Sequence, residues 1–363
     1  MLLAMRCLEV RRDDLRTTRV VDEPTPQPAP GQALLRIDRF GLSANNITYG
    51  VTGGSIGYWG FFPAADGWGR IPVWGFADVV ASDVDGIEAG TRVFGYLPMA
   101  TNLVVEPSRV GPNGFTDGAA RRAQLPAVYN RYQRTDADPL YRPTAEDLHA
   151  VFVPLFVTSF VLDDFLADND DFGAQRVLVS SASSKTAAGT ALCLARRTGD
   201  RPAVVGLTSP ANVAFTAGLG VYDEVVVYPD VTTLDPAVPT VFVDVAGDAR
   251  VREAVHLHLG DALRYSCAVG LSHWDAPRVD GPLPGPKPLL FFAPSQVEKR
   301  LADWGPVGYQ RRLAEAWGEL LDVAGTWVTV TELSGLPALE DAYRRLLDGQ
   351  ARPDEAVVAS PEP

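Results

Sequence analysis

Along the first third of the chain, apolar positions fall in short runs cut by proline and glycine. Residues 32–39 read as a strand after the Pro/Gly-rich stretch 24–31, and 72–81 and 92–96 as two more, separated by turn-rich 82–90. The stretch 50–69 is dense in glycine and aromatics (Tyr58, Trp59, Phe61, Phe62, Trp68) and is expected to be a loop over a cleft. Between 115 and 150 the pattern turns polar, with Arg121, Arg122, Tyr129, Asn130, Arg131 and Tyr132 close together. A helical insertion or lid is expected there, with a solvated helix pair as the alternative.

Strand and helix patterns then alternate. Apolar strand-like runs at 176–180, 203–207, 225–228, 241–245, 265–269 and 288–292 are interleaved with helical patterns at 187–197, 211–219 and 249–259. That alternation implies parallel strands joined by right-handed crossovers, in a sheet covered by helices on both faces. Beyond it come an amphipathic helix (308–321), a strand (327–333), a helix (338–347) and an expected frayed tail at 351–363. No internal repeat is visible.

A chain of 363 residues has room for two or three folding units. Its 46% hydrophobic content and mean hydropathy of +0.01 fit a globular protein. The apolar run 151–162 reads as too short to span a bilayer, and the N-terminus shows no secretory pattern. Three scattered cysteines make neither a disulfide framework nor a metal ribbon, so a reducing cytoplasm is expected. The net charge of -13 disfavours nucleic-acid binding, and no membrane partner is expected.

The chemistry is carried by the segment 177–189, Val-Leu-Val-Ser-Ser-Ala-Ser-Ser-Lys-Thr-Ala-Ala-Gly. A strand runs into a bend of small hydroxyl residues and then into a helix. A phosphate there would meet backbone N–H groups and the positive end of the helix dipole. Ser181, Ser183, Ser184 and Thr186 add hydroxyls and Lys185 adds charge, although the G-x-G-x-x-G letters are absent. At the end of the next strand an NAD-specific site would carry a carboxylate. This chain has Thr208, Ser209 and, a little further on, Asn212, which can donate to a ribose 2′-phosphate, so NADP(H) is favoured; the alternative is that they are ordinary turn residues.

At these positions the chain resembles the medium-chain dehydrogenase/reductase superfamily, nearest its quinone- and enoyl-reductase branches. Their cofactor loop typically reads V-L-V-x-A-A-x-G-G-V-G against residues 177–187 here, and their G-D-R-V matches Gly90-Thr91-Arg92-Val93. The strings 180–188 and 44–49 resemble those of a branch of unassigned function. The resemblance implies an α/β fold, with a Rossmann-type parallel-sheet domain (155–300) inserted in a β-rich, GroES-like catalytic domain (1–154, returning at 301–363). It places Asp244, Ala246 and Gly247 near the cofactor ribose. Gly270 and Phe292 would flank the nicotinamide, with Thr158 beside it. It also implies a homodimer through edge strands, here residues 289–292.

Where zinc-dependent members carry their ligands, Gly41-Leu42-Ser43-Ala44 and Trp74-Gly75-Phe76-Ala77 offer none. His256 and His258 lie two apart on an expected helix and face different ways. No metal is expected. Without zinc, positioned hydroxyls and amides must serve a developing oxyanion or enolate. Tyr58 is the expected proton donor, in the place that a donor tyrosine occupies after an asparagine in enoyl-thioester reductases. Tyr49 competes, and Asn45 or Asn46 could bind a carbonyl or amide. Trp59, His273 and Trp274 are candidate substrate contacts; the plainer alternative is that Tyr58 and Trp59 pack the loop and that His273 is structural. The expected activity is NADPH-dependent, zinc-independent hydride transfer to or from an activated C=C or C=O of a small organic molecule. A non-redox sensor or scaffold, and a lyase or acyl-transfer enzyme on the same fold, are the rivals, although no G-x-S-x-G elbow supports an esterase.

Overall fold

The computed structural model describes residues 4–270 and 283–362. From the N-terminus come β1 (Met5–Arg11), β2 (Thr18–Glu23), β3 (Ala33–Leu42), α1 (Ala44–Val51), β4 (Trp68–Gly69) and β5 (Pro72–Ser82). They are followed by β6 (Arg92–Pro98), β7 (Asn102–Val105), β8 (Pro107–Gly111), β9 (Gly114–Asp117), β10 (Arg131–Arg134) and the long α2 (Glu146–Asp168). Next are β11 (Arg176–Val179), α3 (Lys185–Arg196), β12 (Ala203–Thr208), α4 (Val213–Gly218), β13 (Glu224–Val227) and β14 (Thr240–Asp244). The chain continues through α5 (Ala249–Leu259), β15 (Leu263–Ala268), β16 (Leu289–Leu290) and α6 (Ala293–Trp327). It ends with β17 (Thr329–Ser334), α7 (Leu336–Leu347) and β18 (Glu355–Ser360). Two compact units result: residues 1–152 with 329–363, and residues 153–328.

The first unit is β-rich. One sheet runs β17-β18-β3-β5-β6-β10-β9-β8 with β7 also on β3, and a smaller one runs β2-β1-β4. Close approach of β3 and β5 requires Gly75, where a Cβ would lie 2.2 Å from the Arg39 carbonyl oxygen. At the start of β6, Arg92 gathers Asp38 (2.6 Å), Asp78 (3.0 Å) and Glu146 (2.8 Å), which ties two strands to the start of α2.

Two expectations are corrected here. The stretch 115–150 is not a helical insertion: it holds strands β9 and β10 and short 3-10 turns, with α2 beginning only at Glu146. Pro126, Pro139 and Pro143 interrupt any helix, and Gly114, at φ +127, lets β9 lie directly on β10. Its polar residues partly turn inward: Arg122 is 1% exposed and pairs with buried Asp117 at 3.1 Å. Nor is 351–363 a frayed tail. Within it β18 is buried between β17 (parallel) and β3 (antiparallel), because Ala356, Val358 and Ala359 are small enough for the sheet interior.

The second unit is a six-stranded, all-parallel sheet in the order β13-β12-β11-β14-β15-β16. The order reverses direction between β11 and β14, the place where such sheets open a crevice at their C-terminal ends. Its core includes Leu178, Val205, Leu207, Phe242, Val255 and Leu263. The expected helix 308–321 is the second half of α6, bent at Gly305-Pro306, and Trp317 packs on Phe156 within this unit. That packing keeps α6 with the parallel sheet, so the return to the first unit falls at residue 329 rather than 301.

The run 151–162 is the middle of α2, which with the turn before it is long and apolar enough to cross a membrane by length and composition. The twelve-residue run alone is too short, and the length comes from the whole helix that contains it. Its apolarity has another use, since Val151, Phe152, Phe156, Val161, Leu162 and Leu166 are all buried in protein.

Candidate functional site

In the second unit the bend after β11 is built by a strand end meeting a helix start. Ser181 sits at φ +53, a left-handed conformation uncommon outside glycine, where the chain turns from β11 toward α3. Ser184 is the N-cap of α3, accepting from the Ala187 N–H at 3.3 Å, so Lys185 and Thr186 form the first helical turn. Ser181, Ser184, Lys185 and Thr186 are half-buried, while Ser183 is buried. Where β11 and β14 end, Ser180 donates to Asp244, and the Asp244 carboxylate also accepts from the Gly247 N–H and from Arg252.

Four side chains from outside the bend touch it. The Asn212 amide donates to the Ser183 hydroxyl at 3.1 Å, and the Tyr228 hydroxyl accepts from the Ser181 N–H at 3.0 Å. Tyr222 donates to the Ala182 carbonyl at 2.8 Å, and Gly206 is obligatory beside it because a Cβ would lie 2.9 Å from that of Ala182. From α2, Ser159 donates to the Thr186 carbonyl at 2.8 Å and pins the start of α3. Gly270 ends the run after β15, where a Cβ would strike the Val245 carbonyl oxygen at 2.4 Å.

The first unit carries a dense aromatic cluster. Tyr49, Tyr58, Phe61, Trp74 and Tyr96 all meet Tyr129, with the Tyr49 and Tyr58 rings 4.7 Å apart and Tyr96 and Tyr129 4.8 Å apart. The Trp74 indole donates to the Tyr49 hydroxyl at 3.2 Å. The Tyr58 and Tyr129 hydroxyls lie 3.0 Å apart. Burial pushes the phenols of Tyr49, Tyr58, Tyr96 and Tyr129 up, so all four keep their protons through the neutral range.

Comparison with known proteins places the chain in sequence space. The profile of one family, described as "Protein of unknown function (DUF2855)", matches residues 40–352. The chain belongs to the DUF2855 family. No curated protein matches it in sequence. Among solved structures, CurA of Vibrio vulnificus in complex with NADPH is similar at 15% identity and TM-score 0.66, with 99% of each chain covered. Mycobacterial Rv1454c complexed with NADPH is similar at 17% identity and TM-score 0.58, covering 99% of this chain and 100% of that one. A quinone oxidoreductase of Coxiella burnetii is similar at 13% identity and TM-score 0.54, covering 98% and 99%. At these identities the likeness shows a shared fold, a parallel-sheet α/β domain beside a β-rich one.

In this DUF2855 protein the sequence-derived cofactor residues largely converge. Ser181, Ser183, Ser184, Lys185 and Thr186 form one bend, linked by the Asn212–Ser183 contact to the segment that begins with Thr208 and Ser209. Asp244, Ala246 and Gly247 are joined to Ser180 beside it. Thr158 is half-buried on α2 next to Ser159, and Phe292 is 39% exposed at the start of α6. Tyr228, Ser159 and Arg252 were missed: Tyr228 and Ser159 come from distant elements, and Arg252 reaches back to Asp244 from the helix that follows β14.

The catalytic candidates separate. Tyr58 and Tyr49 lie in the aromatic cluster. Asn46 is taken up by structure: its carbonyl oxygen accepts from the Ser43 N–H at 2.8 Å as the capping box of α1, and its amide donates to the Pro72 carbonyl at 2.9 Å. Trp59 is slotted between Gly53 and Gly69, where a Cβ would come within 2.2 Å and 2.5 Å of its ring, so it packs the loop. His273 and Trp274 lie outside the described residues. Among the described residues no group of three or more His, Cys, Asp or Glu side chains is placed to hold a metal ion.

Proposed function

We propose that this DUF2855 protein is an NADP(H)-dependent oxidoreductase of the medium-chain dehydrogenase/reductase type, acting without zinc on an activated C=C or C=O of a small organic substrate. The observation that supports this most is the serine-rich bend opening α3 at the point where an all-parallel sheet reverses its strand order. The residues there fit a dinucleotide: hydroxyls, a helix N-terminus and Lys185 for the diphosphate, with Ser209 and Asn212 for the 2′-phosphate. NADPH, when bound, supplies a hydride. Tyr58, a buried phenol held in its protonated form, supplies the proton, and Tyr49, its oxygen held by the Trp74 indole, orients a carbonyl or enolate oxygen. Asn46 is left out of this chemistry because both ends of its amide are committed to α1 and Pro72.

The test is titration of the purified protein with NADPH and NADH, followed by fluorescence and thermal shift. NADPH should bind more tightly than NADH, and Lys185→Ala should weaken NADPH about tenfold, roughly 1.4 kcal/mol, with little change in Tm. Binding of neither nucleotide would remove the proposal. Binding without turnover across enals, quinones and enoyl thioesters would favour a sensor. The edge strand β16, with Leu289 48% and Leu290 72% exposed, supports a homodimer, which sedimentation would test.

A further inference from the structure

Tyr58 and Tyr129 share one hydrogen bond, their oxygens 3.0 Å apart and their rings edge to face at 5.6 Å. Only one of the two protons can lie between the oxygens. If Tyr58 is to give its own proton away, Tyr129 must be the donor within the pair. We propose that Tyr129 is a positioning residue for Tyr58: its hydroxyl aims the Tyr58 O–H outward and then holds the phenolate left behind. This rests on the reading of Tyr58 as proton donor.

The geometry suits that task. Tyr129 stands on a 3-10 turn (Ala127–Asn130), and its ring is fixed by Tyr96 at 4.8 Å, Phe61 at 5.6 Å and Trp74 at 6.0 Å. A ring so confined cannot carry its hydroxyl off Tyr58 without moving its neighbours. Tyr58 is 5% exposed, so its phenolate would lack water and would depend on a protein donor. The titratable groups facing the pair are Tyr49 and Tyr96, both phenols kept neutral by burial. Burial raises Tyr58 while the hydrogen bond from Tyr129 draws it back down; burial holds Tyr129 far above, so it stays the proton carrier.

In the step itself the Tyr58 O–H bond breaks. The proton passes to the α-carbon or oxygen of a substrate enolate, which supplies the bonding electron pair, and Tyr58 becomes a phenolate that regains a proton from water only after product has left and solvent enters. Its bond from Tyr129 is then charge-assisted, roughly twice as strong as a neutral one.

The experiment labels the protein with 3-fluorotyrosine, whose fluorine makes the phenol more acidic, and follows each ring by 19F NMR against pH. Tyr58→Phe and Tyr129→Phe keep both rings in place and assign the signals. Tyr58 should ionise at a higher pH in Tyr129→Phe than in wild type. An unshifted or lower value overturns the inference, whether or not the wild type turns over. With turnover in hand, Tyr129→Phe should lower kcat about tenfold or more, leave KM nearly unchanged and move the alkaline limb of the pH profile upward. A shifted signal in a protein without turnover upholds the pair and sinks the oxidoreductase reading.

Discussion

Ser180, just beyond β11, donates its hydroxyl to the carboxylate of Asp244 at the end of β14, 2.8 Å away, and so ties together the two strands between which the sheet reverses its order. Ser180 in turn accepts from the Ala246 N–H at 3.0 Å. Asp244 is 1% exposed and is met by the Gly247 N–H at 3.0 Å and by Arg252 at 2.8 and 2.7 Å. The Ser180 hydroxyl, the Gly247 N–H and Arg252 converge on one carboxylate, so Asp244→Ala strands all three. Arg252 is partly exposed and can recover some hydration, which puts the cost at the low end for a broken buried pair, about 3 kcal/mol. Urea unfolding should show the midpoint falling with an unchanged slope. A loss under about 1 kcal/mol would mean that the junction of β11 and β14 does not depend on this carboxylate.

Asn212 lies against Ser183, with its amide as donor. A carboxylate in its place can accept from the Ser183 hydroxyl, so the local contact survives, but it would repel a ribose 2′-phosphate. Asn212→Asp should therefore weaken NADPH about tenfold or more, at least roughly 1.4 kcal/mol, and leave NADH within a few-fold. Calorimetric titration with both nucleotides checks this. Equal losses for the two would place the 2′-phosphate elsewhere.

The parallel sheet was legible because its strands are apolar on both faces and its helices carry a 3.6-residue period; Val177, Leu178 and Val179 are fully buried as that pattern demands. The bend was legible because it is local, with cap, hydroxyls and lysine inside one heptapeptide. Polar letters misled where they point inward. Arg122 and Asn130 belong to the stretch that reads as a helical insertion or lid, yet both are buried in the β9–β10 region, and Arg122 has Asp117 beside it. Nothing within a short window announces that pairing. Likewise β18 has few residues and follows Pro353, so it resembled an ending, although distant β3 supplies its partner. Tyr129 is the clearest case. Its role exists only through Tyr58, 71 residues away in sequence.

His149 gives the fold a pH dependence whose sign can be worked out. Its side chain is 1% exposed, among Phe94 at 4.5 Å, Phe76 at 5.3 Å and Tyr141 at 6.3 Å. Burial lowers its pKa to about 3, against the pull of nearby Glu146. The 3.8 Å approach to Asp138 is therefore not an ion pair near neutral pH, since the imidazole is uncharged and burial raises the Asp138 carboxyl. Between about pH 6.5 and pH 3 the unfolded chain takes a proton on this histidine that the folded chain refuses. Stability from His149 is thus complete above about pH 6.5 and falls as the solution is acidified, by at most about 1.4 kcal/mol per pH unit. Asp138 works the other way, because its native carboxyl binds a proton before the unfolded one does. His149→Phe deletes only the first effect and fits the aromatic nest. Urea unfolding at steps from pH 7 to pH 4.5 should show wild type losing stability relative to the variant as pH falls, while a pH-independent gap would mean that the folded protein already protonates His149 with ease.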